Sequence, residues 1–225
     1  MKKSISLILV YLFFITIGGV FIGVFLYSIN DDGMFVASFG NLIMYLLLNA
    51  IGFYILKDEI KTDFENYKKK NNKFFEIIKG YLILLALGFI GNYILMIIGY
   101  YNTTINQQVI EELMQSKYMI IIIITVLLGP IIEELVFRKS FFNLFVKRWE
   151  FSPILTLIIS SILFASIHVI FNIEDNLLEL LLMIPYFIQG LALGYLYIKS
   201  DYNIFLPLNV HIFSNLISVI IILIT

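Results

Sequence analysis

Glu133 and Glu134 stand side by side in a long apolar run, and both histidines of the chain, His168 and His211, stand in two others. Arg138 lies near the edge of the first run. A charged side chain at a bilayer centre costs about 2.5–3.5 kcal/mol on insertion scales, so such residues usually face a bundle interior and mark function. A carboxylate and two imidazoles can take a proton from water, orient it and return the proton. Water activation is therefore the chemistry these residues suggest.

Their spacing divides the work. Adjacent helical residues point about 100° apart, so Glu133 and Glu134 cannot share a face. Glu134 and Arg138 are at i and i+4, where an acid and a base meet in the favourable order. Arg138 is expected to neutralise and orient Glu134, which leaves Glu133 to face a central cavity as the general base. A salt bridge at a helix end would explain Glu134 and Arg138 but not Glu133. Phe164 and His168 share a helix face in Phe164-Ala165-Ser166-Ile167-His168. His211 and Asn215 do the same in His211-Ile212-Phe213-Ser214-Asn215. Asn215 could hold a water, orient His211, donate to an oxyanion, or simply join helices.

The elements that must position these groups are membrane helices. The 225 residues are 60% hydrophobic and 14% charged, with a mean hydropathy of +0.96. Soluble domains average about 25% charged residues. A net charge of −1 gives no reason to expect nucleic acid. The absence of cysteine excludes disulfides, cysteine nucleophiles and thiolate metal sites. The apolar stretch Ile5–Tyr27 is too long for a signal-peptide core, and it reads as a retained first helix. Seven runs are long enough to span: Ile5–Ile29, Met34–Leu56, Phe75–Tyr100, Lys117–Phe137, Ser152–Phe171, Leu177–Ile198 and Ile204–Thr225. The expected fold is an all-α polytopic bundle of about seven helices, one integral membrane domain over 1–225, with site residues from three helices. Asn106–Gln115 and Lys139–Glu150 read as interfacial helices. Gly19 with Gly23, and Gly190 with Gly194, have the spacing of close helix packing.

Basic and acidic loops alternate. Lys2 and Lys3, the Lys57–Lys73 loop, the Lys139–Arg148 loop and Lys199 are basic, whereas Asp31 with Asp32, Glu111 with Glu112, and Glu174 to Glu179 are acidic. The positive-inside rule then places the N-terminus in the cytoplasm. Richness in Ile, Asn, Lys, Phe and Tyr suits an AT-rich bacterial genome, so the expected location is a bacterial cell membrane.

The three clusters together resemble the CAAX protease and bacteriocin-processing (Abi) family of intramembrane proteases. Its pattern is Glu-Glu-x-x-x-Arg, then Phe-x-x-x-His, then His-x-x-x-Asn or Asp. Glu133, Glu134 and Arg138 match the first part, Phe164 and His168 the second, and His211 and Asn215 the third. The resemblance covers about 117–220; the N-terminal helices, 5–100, carry no family signal. It implies a peptidase acting on a membrane-embedded or membrane-associated peptide or protein. Eukaryotic relatives remove the last three residues of prenylated CAAX proteins, and bacterial relatives are linked to bacteriocin immunity and peptide processing. Glu133, Glu134, His168, His211 and Asn215 would be catalytic, with Arg138 and Phe164 in support. The family is usually filed among metalloproteases, so zinc on Glu133, His168 and His211 stands beside the preferred reading, water activated by glutamate without a tightly held metal.

Two other classes fit intramembrane acids and histidines. A non-catalytic scaffold or immunity protein would need no active glutamate, and a transporter would show flux and no peptide product. One expectation strains the catalytic reading. If the fourth helix ends at Phe137, a plain hairpin leaves His168 roughly 15–20 Å from Glu133 in depth.

Overall fold

A computed structural model describes residues 2–100, 108, 110–112, 119–169 and 177–224. The chain is an all-α bundle, and no strand occurs among the described residues. Among the described residues six helices are long and apolar enough to cross a membrane, by length and composition. These are α1 (Lys2–Tyr27), α2 (Gly33–Lys68), α3 (Lys73–Ile98), α4 (Ile120–Phe145), a span over Leu178–Lys199, and α7 (Phe205–Ile224). Within that fifth span, α6 (Met183–Lys199) follows a short 3-10 segment. The helix α5 (Pro153–Val169) is shorter but equally apolar. The chain is thus an integral, multi-pass membrane protein, and its seven described helices follow the apolar runs.

Helix ends depart from expectation in two informative places. The second helix does not stop at Leu56. It bends there (φ −105°, ψ 18°) and continues to Lys68, so most of the basic second loop is helical. Its start is set by Asp32, whose carboxylate accepts from the Met34 and Phe35 amides as an N-cap. The fourth helix does not stop at Phe137 either, and the expected interfacial helix over Lys139–Glu150 is corrected accordingly. Residues 139–145 continue α4 inside the protein. Lys139 reads as a headgroup residue in isolation. Here it is 4% exposed and donates to Asp63 of α2 at 2.6 Å. The Asn106–Gln115 segment lies largely outside the described residues, as do the expected helix ends Lys117, Phe171 and Thr225.

Helix α4 is the most enclosed span. Ile132, Leu135, Val136 and Phe142 pack with Leu7 and Tyr11 of α1, Leu48 of α2 and Phe164 of α5. Exposed Phe21, Tyr54, Ile97 and Ile154 on the outer helices give the bundle an apolar surface. Gly52 lets α2 approach α4, its Cβ position standing 3.2 Å from Ile132 and Leu135 side-chain atoms. The Gly190 and Gly194 spacing does seat α6 on α5, against Ser161 and Leu157. Gly23 faces open space, so the Gly19 and Gly23 pair is not a two-point contact.

At the basic end of the bundle, Asp63 organises several elements. Its Oδ2 accepts from Lys139 Nζ and, at 3.1 Å, from the Ile204 amide just before α7. Its backbone carbonyl accepts from Asn203 Nδ2 at 2.7 Å. Lys139 and Ile204 are thereby held at one level.

Candidate active site

The irregularity of α4 begins before the glutamates. Over Ile124–Leu128 the helix widens to a π-turn, and the Gly129 N–H bonds the Ile124 carbonyl five residues back. In that register the Thr125 carbonyl would take the N–H of residue 130. Residue 130 is proline and has none. Asn215 of α7 supplies the missing donor, its Nδ2 standing 2.8 Å from the Thr125 carbonyl. Asn49 of α2 donates to the Leu128 carbonyl at 2.9 Å. Carboxamides from two neighbours thus satisfy the widened turn, which would otherwise leave buried acceptors unpaired. A second π-turn spans Glu134–Ser140. Such insertions in helices are frequent at functional sites.

Glu134 and Arg138 pair as expected, Oε2 to Nε at 3.3 Å, with exposures of 0% and 1%. The guanidinium also donates to the Gly190 carbonyl at 3.4 Å and lies 4.8 Å above the Phe164 ring. Phe164 is the floor of the site: its ring centre is 4.6 Å from that of His168 and 6.2 Å from that of His211. The aromatic of the second motif therefore carries a cation on one side and borders both imidazoles.

The other oxygen of Glu134, Oε1, lies 3.0 Å from His211 Nδ1. Orienting His211 was one of several roles open to Asn215; the carboxylate of Glu134 holds that imidazole, and Asn215 joins α7 to α4. A carboxylate only accepts, so Nδ1 carries a proton, and the tautomer this selects presents its lone pair at Nε2. His168 reaches the same state locally. Its Nδ1 donates to the Phe164 carbonyl at 2.8 Å, leaving Nε2 as the acceptor. Both tautomers are assigned from these partners.

The two Nε2 atoms converge on Glu133. His168 Nε2 is 3.9 Å from Oε1, and His211 Nε2 is 3.8 Å from Oε2. The expected depth gap of His168 is absent, for a physical reason. Glu133 lies twelve residues before the end of α4 and His168 fifteen residues after the start of α5, about 18 and 22 Å along the two arms. The seven helical residues after Arg138 equalise the arms. Asp63 does the same for His211, which follows Ile204 by seven residues while Glu133 precedes Lys139 by six.

Glu133, His168, His211 and Asn215 line a cavity of about 700 Å³. Its walls also include Tyr11 of α1, Tyr45 of α2 and Tyr186 of α6, which stacks on His168 with ring centres 4.5 Å apart. Sequence reading missed these tyrosines. A signal existed for one of them: Asn41, Tyr45 and Asn49 form a polar stripe at i, i+4 and i+8 in an apolar helix.

One carboxylate with two imidazole nitrogens has the donor chemistry of a zinc site with an open position. The placement is different, since no group of three or more His, Cys, Asp or Glu side chains among the described residues is arranged to hold a metal ion. A separation of 3.8–3.9 Å exceeds a direct hydrogen bond and is a span one water can bridge. The arrangement is that of a buried acid–base cluster opening on a cavity within a membrane bundle.

Residues 115–217 match the family described as Type II CAAX prenyl endopeptidase Rce1-like. The matching segment, just under half of the chain, contains all seven motif residues. A curated relative, "Putative membrane peptidase YdiL" of Bacillus subtilis (strain 168), is 29% identical over 144 residues. That match covers 64% of this chain and 54% of the relative, so the chain spans about half the length of the relative. No solved structure matches the chain.

Proposed function

We propose that this chain is an intramembrane endopeptidase of the CAAX-protease type that hydrolyses a peptide bond with water activated by Glu133. The observation that carries the reading is the position of the Glu133 carboxylate between two imidazole Nε2 atoms on the wall of a cavity inside the bundle. Glu133 takes a proton from water, whose oxygen adds to the substrate carbonyl carbon. The second proton of that water is donated to one of the two imidazole Nε2 atoms, of His168 or His211, which fixes the direction of its lone pair. When the tetrahedral intermediate collapses, the C–N bond breaks and the proton on Glu133 passes to the departing nitrogen. Glu134 and Arg138 orient His211, and Asn215 positions its own helix against α4.

The substrate is a peptide or protein segment within or at the membrane. The single domain lies in a bacterial cell membrane with the basic end, and so the N-terminus, in the cytoplasm. Zinc on Glu133, His168 and His211 is the other reading, favoured by the donor chemistry alone.

Purified protein in lipid nanodiscs, incubated with prenylated CAAX peptides and with apolar peptides of mixed sequence, tests the proposal by mass spectrometry of the products. Cleavage by the wild type, its loss in Glu133→Gln, His168→Ala and His211→Ala, and persistence after chelation are expected. Cleavage retained in all three variants would sink the reading. Loss on chelation with recovery on adding Zn²⁺ would replace the metal-free mechanism with the zinc one.

A further inference from the structure

A second concavity lies at the basic end of the bundle and shares no lining residue with the cavity that holds Glu133. It measures about 280 Å³, and its walls include Lys70, Lys73, Lys199, Glu76 and Leu206. Three ammonium groups therefore face one carboxylate. Glu76 belongs to the first turn of α3, where a carboxylate complements the positive end of the helix dipole. A surplus of positive charge is left on the walls.

We propose that this pocket binds the phosphate-bearing headgroup of an anionic phospholipid. Lysines in a basic loop can point anywhere in water; two of these are held at the pocket walls. Lys70 Nζ donates to the carbonyl of Ser200, 130 residues along the chain, at 3.4 Å, and Ser200 lines the pocket. Lys73 Nζ donates to the Lys68 carbonyl at 2.8 Å and lies 5.8 Å from the centre of the Tyr67 ring, which is another wall. An ammonium carries three donors, so each of these contacts leaves two for a phosphate. Lysine binds phosphate in this way, as a point charge. Lys199 is exposed at the rim, its Nζ 5.8 Å from the centre of the Tyr195 ring.

The level of the pocket selects a lipid over a phosphate free in water. It forms where α3 begins at Lys73, α6 ends at Lys199 and α7 begins at Phe205. Helices of 20 residues or more cover the hydrocarbon core, so their ends lie among the headgroups. Phe74 and Phe75, directly after Lys73, are 74% and 65% exposed, and Tyr195, one turn before Lys199, is 47% exposed. Aromatic side chains at the ends of spans mark the boundary between lipid and water. Basic pockets between helix ends at that boundary suit anionic headgroups. The volume is at the lower limit of ligand pockets, about 300 Å³. It holds a headgroup and leaves the acyl chains outside, against the exposed rings of α3. An occupied pocket joins the turn between α2 and α3 to the turn between α6 and α7.

The test is native mass spectrometry of the full chain in detergent, titrated with phosphatidylglycerol, with phosphatidylcholine of the same acyl chains, and with soluble glycerol 3-phosphate. The wild type is expected to bind phosphatidylglycerol more tightly than phosphatidylcholine. The variant Lys70→Gln/Lys73→Gln/Lys199→Gln keeps most of each stem and removes three charges. It is expected to bind phosphatidylglycerol about 100-fold more weakly. The control Lys2→Gln/Lys57→Gln/Lys61→Gln removes three exposed charges outside the pocket and is expected to bind as the wild type does. If the pocket variant does not fold, Lys199→Glu alone, at the exposed rim, is expected to weaken phosphatidylglycerol in the same direction. Equal affinity of the wild type for the two lipids overturns the proposal, and so does equal loss in the pocket and control variants. Displacement of phosphatidylglycerol by an equal concentration of glycerol 3-phosphate would assign the pocket to a soluble phosphate and overturn the lipid.

Discussion

Glu134 bridges Arg138 and His211, one oxygen 3.3 Å from the guanidinium and the other 3.0 Å from the imidazole. The second glutamate of the motif is therefore the group that sets the tautomer of a histidine 77 residues away. Glu134→Gln keeps the shape but can turn an N–H towards Nδ1, which would move the ring proton to Nε2 and remove the acceptor facing Glu133. Loss of about 10³–10⁴-fold in cleavage is expected, by analogy with a triad carboxylate changed to its amide. The cleavage assay on the folded variant checks this, and activity within tenfold of wild type would refute it.

Arg138 predicts a stability effect. It is a fully buried cation, and removing one partner of such a pair costs about 3–5 kcal/mol, because the other charge is left behind. Arg138→Met and Glu134→Gln should each lower resistance to SDS-induced unfolding by that order. The double variant should cost clearly less than the two single effects added. Strict additivity would show that the pair is not coupled.

The carbonyl that Pro130 leaves without a partner gives a second coupled pair. Asn215→Ala should cost about 1–3 kcal/mol, the usual penalty for an unsatisfied buried acceptor. Pro130→Ala restores an N–H at residue 130, and in that background the same Asn215→Ala change should cost little. The double-mutant cycle is read by thermal unfolding in detergent. An equal cost in both backgrounds would mean that Asn215 does not substitute for the proline.

The glycines separate by surroundings. A Cβ on Gly190 would stand 3.0 Å from Ser161 Cα and Cβ, so Gly190→Ala must push α6 off α5 and disturb the carbonyl that holds Arg138. Gly23 meets nothing within 4 Å. Gly23→Ala should be neutral or stabilising, by up to about 1 kcal/mol of helix propensity. Thermal unfolding of the two variants should move in opposite directions; a loss at Gly23 as large as that at Gly190 would contradict the placement.

The motif residues were legible because an ionisable side chain in an apolar run has few explanations. Glu133, His168 and His211 meet as that reasoning requires. The depth of His168 was not legible. Lys139 and the charges after it look like the end of a helix, but Lys139 meets Asp63, 76 residues earlier, and Phe141 and Phe142 pack in the core, so α4 runs on past Arg138. Nor were Tyr11 and Tyr45 legible. The chain has 14 tyrosines, each at home at a membrane interface or in a core, so no contrast with the surroundings marks these two. The link from Glu134 to His211 escaped as well, since Asn215 at i+4 offered a nearer partner and proved to be occupied by the carbonyl facing Pro130.

Asp63 lies far from the chemistry, yet one of its oxygens ties down Lys139 of α4 and the amide that precedes α7. The heights of Glu133 and His211 are then measured from a common foot. A change at Asp63 would leave every motif residue in place in the sequence while letting two helices slide against each other along their axes. One helical residue is about 1.5 Å, and misplacement of that size already costs about 100-fold in a positioned reaction. The N-terminal helices thus act as a ruler for the motif-bearing ones, and the alignment of the site is stored in a segment where motif reading finds nothing.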